Sequence, residues 1–343
     1  KQNVNDIDGF AYKEKGKVIV NPKTKLIQNL DELPYQARHL LPMEKYIKLN
    51  LTQQLYTKKQ RIAQIITSRG CSARCVFCTT TNFWGNCYRM RSAKSVLDEI
   101  EFLIKEYNIE EIHFTDDNLT LDKQRARDIF NGMIERKFNV DWATPQGTAV
   151  WALDEEMLEL MKKSGCYSLI FAIESGNQEV LHKIIKKPLN LKLVEPLVRK
   201  AKSLGIRVYS FFVVGLPGET KENIKETFKF AAKVPFDGAD FSIATPLPGS
   251  ELYEIVSQKG YLSKDFDFDN LLYHEGVIST PEFSAKELTE LVERERMKYH
   301  LRIFKRDPIF FIKKYGKFFI EKPNVVLKRF MNQKLYSKLF GDK

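Results

Sequence analysis

Cys71, Cys75 and Cys78 fall within eight residues of the stretch "TSRGCSARCVFCTT", and they are three of the five cysteines in the chain. Sulfur at that density points to three kinds of chemistry. A structural zinc ion takes four ligands; His39 and His113 are remote in sequence, so Cys87 would have to complete the set. A disulfide uses two thiols and leaves one over. An odd total of five, without the spacing of a secreted framework, reads as a reducing, cytoplasmic compartment. The third chemistry is an iron–sulfur cluster. A four-iron cluster held by three thiolates keeps one iron without a protein ligand, and a chelating small molecule can bind at that open corner. On spacing alone zinc and a disulfide stay open. The cluster is the reading that uses all three thiols of the loop without calling on a fourth protein ligand.

Such a loop needs a rigid strand end beneath it. Between Arg61 and Lys259, short β-branched runs alternate with helical patterns. "RIAQIIT" (61–67) predicts a strand that stops just short of the cysteines. Val96, Leu97, Ile100, Leu103, Ile104 and Tyr107 recur at helical spacing between Ser92, a capping residue, and Asn108, a stop. The same reading predicts strands at 109–115, 140–144, 167–173, 207–214 and 238–244. Helices follow at 121–137, 154–165, within 177–204, at 220–233 and at 250–259. Pro196 demands a helix start or a kink. Six β-then-α units imply a parallel sheet with right-handed crossovers. They can curl into a partial (β/α)6 barrel whose reactive face is built by the loops after the strands. The cysteines occupy the first of those loops.

Outside the barrel span of 61–259 the chain reads differently. Residues 1–60 form an N-terminal extension, with a hairpin in "GFAYKEKGKVIVNP" and a Pro-punctuated linker after it. Residues 260–343 form a helical C-terminal region, in which Ser284 and Glu287 make a capping-box pattern ahead of a helix over 284–306. The composition is that of a soluble globular protein, and no apolar run is long enough for a membrane span. Of the net charge of +11, residues 301–343 supply +9, leaving the first 300 residues nearly neutral. This tail interleaves nine Phe/Tyr with its lysines and arginines. The pattern suits aromatic packing on the barrel with solvated lysines, or peripheral contact with an anionic membrane, and suits nucleic acid less well. A membrane-facing tail would go with a hydrophobic or lipid-linked substrate.

The Cys-x3-Cys-x-aromatic-Cys pattern, with Phe77 at the aromatic position and a strand before it, resembles the radical S-adenosylmethionine superfamily over about residues 61–259. The resemblance implies that Cys71, Cys75 and Cys78 hold a [4Fe-4S] cluster and that S-adenosylmethionine binds its open corner. It also implies a 5′-deoxyadenosyl radical as the working species, and a small electron donor such as flavodoxin or ferredoxin. It places the methionyl amino group near Asp116 and Asp117 in "HFTDDN", and the ribose near Glu174 and Ser175 in "FAIESGN". The adenine falls near Gly215 in "FFVVGLPGET". "TNFWGNCYRMRS" (81–92) and "ATPLPGSELYE" (244–254) look like the branch of the superfamily associated with cobalamin-binding domains. Arg89 and Arg91 lie on the surface or face an anionic group, and Cys87 and Cys166 read as buried thiols. The Asp-x-His-x-x-Gly stretch of a cobalamin domain is not in this sequence. Because residues 1–60 resemble the usual connector, cobalamin is expected through a domain preceding Lys1. The branch most often methylates unactivated carbon or phosphinate; a methylthiotransferase-like enzyme and a metal-stabilised scaffold are the alternatives.

Overall fold

The computed structural model describes residues 4–50, 52, 57–263, 266–270, 273–309 and 311–312. The N-terminal extension opens with the expected hairpin, β1 (Ala11–Glu14) against β2 (Lys17–Val20), antiparallel. The segment read as a linker carries a short helix, α1 (Met43–Leu49), which ends at Asn50 in the left-handed conformation. Proline punctuation hid it, because Pro42 sits at the N-cap, where the missing N–H costs nothing.

The strand–helix alternation follows. It runs β3 (Ile62–Ile65), β4 (Ser68–Arg69), α2 (Thr80–Trp84), β5 (Arg89–Met90), α3 (Ala93–Tyr107), β6 (Glu111–Phe114) and α4 (Lys123–Glu135). It continues with β7 (Asp141–Thr148), α5 (Glu155–Lys163), β8 (Cys166–Glu174), α6 (Val194–Ser203), β9 (Arg207–Val214), α7 (Lys221–Lys233), β10 (Gly238–Ile243) and α8 (Glu251–Lys259). One six-stranded sheet has the order β10-β9-β8-β7-β6-β3. The pairs β3/β6, β6/β7 and β9/β10 are parallel. The order follows the chain, and β3 and β10 are the two edges, so the fold class is the partial (β/α)6 barrel the alternation implies. The helices begin where polar side chains can satisfy their first N–H groups: Ser92, Asp122, Asp154, Thr220, Ser250 and Ser284 each accept from a backbone N–H three residues on. Pro196 stands in the first turn of α6, as its chemistry requires. The 177–204 stretch is less uniform than periodicity suggests, with a π-helical turn at Val180–Ile185 before α6. α9 (Ala285–Arg306) carries the predicted capping box of Ser284 and Glu287. Of the basic tail, residues beyond 312 lie outside the described residues, and the tail's expected contact lies there with them.

The chain divides into two compact units, with the boundary inside β8 between Ile170 and Phe171. The first unit holds Lys1–Arg74, Cys78–Ile170 and Leu204–Ile206; the second holds Cys75–Phe77, Phe171–Ser203 and Arg207–Lys343. The first unit's core centres on Trp142 of β7. Its ring stacks on Phe130 at 4.9 Å and meets Phe114 edge-on at 5.3 Å, and its Nε1–H donates to the Ser164 carbonyl at 3.1 Å. The second unit's core is an aromatic column of Phe228, Phe241, Phe212 and Tyr299, through which α9 lies against β10.

Trp142→Ala should cost about 3–5 kcal/mol, because the deleted ring leaves a cavity among large side chains that cannot collapse and an unpaired Ser164 carbonyl. Equilibrium denaturant unfolding checks this; a loss below about 1 kcal/mol would show that the core does not depend on this ring.

Candidate functional site

Cys71, Cys75 and Cys78 lie in irregular chain between β4 and α2, all three half-buried and free of disulfides. Two things the sequence did not show frame this loop. β4 pairs antiparallel with β5, Ser68 with Met90 and Arg69 with Arg89, so the "TNFWGNCYRMRS" stretch forms a wall beside the loop's entry. Gly70, at φ +89°, makes the turn into Cys71, and a Cβ there would sit 2.2 Å from the Cys87 carbonyl oxygen. In the second unit, Val76 donates to the Ile185 carbonyl at 3.0 Å and accepts from Leu252 N–H at 2.8 Å. Phe77 beside it is half-buried. Val76, Ile184, Leu216, Leu252 and Tyr261 also line a cleft of about 330 Å³ in that unit.

The aspartate pair divides its work. Asp116 is buried; its Oδ1 accepts from Thr67 N–H at 3.1 Å, from the Thr67 hydroxyl at 2.7 Å and from the Ser68 hydroxyl. Burial nevertheless holds its pKa above the ordinary carboxylate value. Arg125 closes the network by donating to the Thr67 carbonyl at 2.8 Å and to its hydroxyl at 2.6 Å. Asp117 uses both oxygens: Oδ2 accepts from Gly70 N–H at 3.0 Å and Oδ1 from the Thr80 hydroxyl at 3.3 Å. Further along the same loop, Asp116 Oδ2, both amide atoms of Asn118 and the Thr120 hydroxyl are buried with no hydrogen-bond partner among the described residues. Four such atoms in five residues are what a loop built to meet a polar ligand or bound water would show. Asn118 and Thr120 were not singled out by the sequence, although the polar run after the second sheet strand was the available signal.

Arg89 and Arg91 are not surface residues. Arg89 donates to the Ile27 and Trp84 carbonyls, and Arg91 pairs with buried Glu99, which also faces Arg38. Arg89 thereby ties the N-terminal extension to the chain beside α2, within the first unit. Cys87 is half-buried and Cys166 buried, where desolvation pushes the Cys166 thiol pKa up. His113, which has no partner pattern in sequence, meets Glu111 at 2.7 Å.

In the second unit, Glu174 ends β8 at φ +75°, a left-handed backbone that a side chain makes costly. Its carboxylate is 7% exposed and pairs with Lys187, itself 5% exposed, at 3.0 Å. Neither charge could be buried without the other. Ser175 is turned inward: its hydroxyl meets the Thr227 hydroxyl at 3.1 Å and accepts from Asn177 N–H at 3.2 Å. Gly215, at φ +88°, makes the turn after β9, and a Cβ there would meet the Leu288 side chain at 2.4 Å. Glu219 holds that turn. Its Oε2 accepts from Gly215 N–H at 2.7 Å and Leu216 N–H at 2.9 Å, while Oε1 is buried without a partner. Glu219 and Lys187 escaped the sequence reading because a Glu and a Lys on helix-flanking turns look like solvated charges.

Three soft sulfur donors in one loop suit iron, and the orphaned polar atoms suit a zwitterionic ligand nearby. Among the described residues no three His, Cys, Asp or Glu side chains are already gathered to hold a metal ion. The fit therefore rests on donor chemistry and on the fixed ends of the loop.

Comparison with known proteins gives the family of the domain that carries this loop. Residues 65–231 match the Radical SAM superfamily, so the chain carries a Radical SAM domain. Cytidylyl-2-hydroxyethylphosphonate methyltransferase of Streptomyces wedmorensis is 38% identical over 330 residues, covering 88% of this chain and 61% of its own length. An uncharacterised methyltransferase of Pyrococcus horikoshii is 33% identical over 294 residues, covering 86% of this chain and 61% of that protein. The cobalamin-dependent S-adenosylmethionine radical enzyme OxsB, solved with aqua-cobalamin and S-adenosylmethionine, shares the fold with a TM-score of 0.64 at 18% identity, over 100% of this chain and 55% of OxsB. The chain thus spans 61% of the length of these two methyltransferases.

Glu219 sets a pH dependence. Burial pushes its carboxyl, ordinarily near 4.5, up to about 7. The folded chain therefore keeps a proton that the unfolded chain has released. The stabilisation is complete below pH 4.5 and is lost as pH rises through 7, by on the order of 3 kcal/mol. Glu219→Gln, which keeps an acceptor for both N–H groups, should flatten that fall. Denaturant midpoints measured between pH 4.5 and 8 check it; parallel slopes for the two chains would exclude the mechanism.

Proposed function

We propose that this chain is the radical-generating part of a cobalamin-dependent methyltransferase that acts on a small anionic or hydrophobic molecule. The observation that carries the reading is the three-cysteine loop at the end of the first strand of a Radical SAM domain, in a chain whose relatives are named methyltransferases. Cys71, Cys75 and Cys78 would hold the cluster, with Phe77 packing beside it. When bound, the cluster and S-adenosylmethionine supply an electron and a 5′-deoxyadenosyl radical that removes a hydrogen atom from the substrate.

The chain's own residues bind and orient. Glu174 offers a carboxylate that can accept two ribose hydroxyls, and its 3.0 Å pairing with Lys187 fixes its direction. Asp116 Oδ2 and the Asn118 amide offer unspent polar atoms to the methionyl end, whereas both oxygens of Asp117 are already engaged at Gly70 and Thr80. Glu219 fixes the Gly215–Leu216 turn on the adenine side, and Ser175 fixes the turn after Glu174. Cobalamin, with which OxsB was solved, would come to this chain from a further domain, and the electron from a flavodoxin or ferredoxin. No helix among the described residues is long and apolar enough to cross a membrane. A cytoplasmic setting follows from the free thiols, and peripheral membrane contact through 301–343 is the reading of the tail that a lipid-linked substrate would require.

Reconstituted without oxygen and given dithionite, the chain should release 5′-deoxyadenosine from S-adenosylmethionine, and Cys75→Ala should release none. Release by the variant equal to wild type, or none from an iron-loaded wild type, would overturn the reading. Glu174→Gln should weaken S-adenosylmethionine binding by about tenfold, the cost of a charge-assisted hydrogen bond. Isothermal titration measures this, and unchanged affinity would remove Glu174 from the ribose site.

A further inference from the structure

We propose that Asp117 is a positioning residue that closes the cysteine loop, rather than a contact to the methionyl group; this rests on the function proposed above. Its two carboxylate oxygens are committed to opposite ends of one segment. Oδ2 takes the N–H of Gly70, one residue before Cys71, and Oδ1 takes the hydroxyl of Thr80, two residues after Cys78. Between those points the chain has no regular structure. A single side chain thus ties the entry and the exit of the eleven-residue stretch, Gly70 to Thr80, that carries all three thiols.

The surroundings make the clasp effective. Gly70 cannot shift toward β5, because its Cα already faces the Cys87 carbonyl so closely that a Cβ would lie 2.2 Å away. Thr80 begins α2, so its backbone is held by a helix. Asp117 itself is anchored through its neighbour, since Asp116 holds Thr67 and Ser68, the residues leading into the loop. Three thiolates have to be brought to one cluster, and ordering a flexible loop opposes that with the entropy of every free residue. Tying the ends beforehand removes part of that cost from the binding step. Thiolate affinity for iron is then spent less on ordering the chain. The sequence hides this role because an Asp–Asp pair after a strand looks like a ligand-binding pair in which both members do the same thing.

The test compares wild type with Asp117→Ala, Asp117→Asn and Thr80→Val, each reconstituted without oxygen. Three quantities are read: the thermal midpoint of the apo chain, the rate at which a chelator strips iron from the loaded chain, and the electron paramagnetic resonance spectrum of the reduced cluster. Hydrogen exchange at the Gly70 amide of the apo chain is read as well. The expected result is similar midpoints for all four, with iron loss roughly fivefold faster in Asp117→Ala and a smaller acceleration in Thr80→Val, as lost hydrogen bonds to an exposed carboxylate imply. Asp117→Asn keeps an acceptor for Gly70 and should recover most of the retention. The Asp117→Ala spectrum should broaden, and its Gly70 amide should exchange faster. Iron loss and spectra identical to wild type in Asp117→Ala would overturn the clasp while leaving the cluster reading intact. A wild type that takes up no cluster would overturn both. Should Asp117→Ala fail to fold, Thr80→Val decides: wild-type retention and wild-type Gly70 exchange in it would overturn the proposal.

Discussion

Three thiolates have to meet at one place on a loop that has no helix or strand of its own, and the contacts at the two ends of that loop answer to that constraint. The thiols sit on a segment that leaves β3 and β4 and re-enters regular structure at α2. Its entry is gripped from two sides: Asp116 and Arg125 saturate Thr67, and the β4/β5 ribbon fixes Ser68 and Arg69. All of these contacts are short, polar and largely shielded from water, where hydrogen bonds to charged groups are strong and unmade ones costly.

The second unit shows the same economy with buried charge. Glu174 and Lys187 form an ion pair with little solvent, at a backbone angle that stores strain. Burying two charges together is at best neutral for stability against an apolar pair, so its presence at a strand end is better explained by use than by folding. Glu219 is more extreme: among the described residues two backbone N–H groups are its hydrogen-bond partners, and Oε1 has none. It stabilises a turn that Gly215 alone permits, at the expense of stability at neutral pH. Buried polar atoms without a partner among the described residues lie in the loops after β6 and β9, and a strained backbone angle ends β8 at Glu174.

Much of this was legible in the residues. The alternation of β-branched runs with amphipathic stretches gave the six strands and most helices, because each core face is written in consecutive residues. The capping residues Ser92, Thr220 and Ser284 marked helix starts for the same local reason. The cysteine loop was legible from its spacing. What stayed hidden was pairing between distant residues. That Asp117 reaches back to Gly70, that Arg91 neutralises Glu99, and that Lys187 sits on Glu174 depend on tertiary approach, and a lone Asp, Arg or Lys carries no sign of its partner. α1 was hidden by Pro42, and β5 by a stretch whose two strand residues pair only because β4 lies beside them.

The account stands on what the three cysteines hold. Iron and sulfide should be counted in oxygen-free, reconstituted chain labelled with 57Fe, with Mössbauer spectra recorded before and after S-adenosylmethionine is added. About four irons and four sulfides per chain, with roughly one iron changing its signal when the ligand arrives, is the result this structure predicts. A single zinc ion, a cluster whose spectrum ignores S-adenosylmethionine, or no bound metal would contradict it.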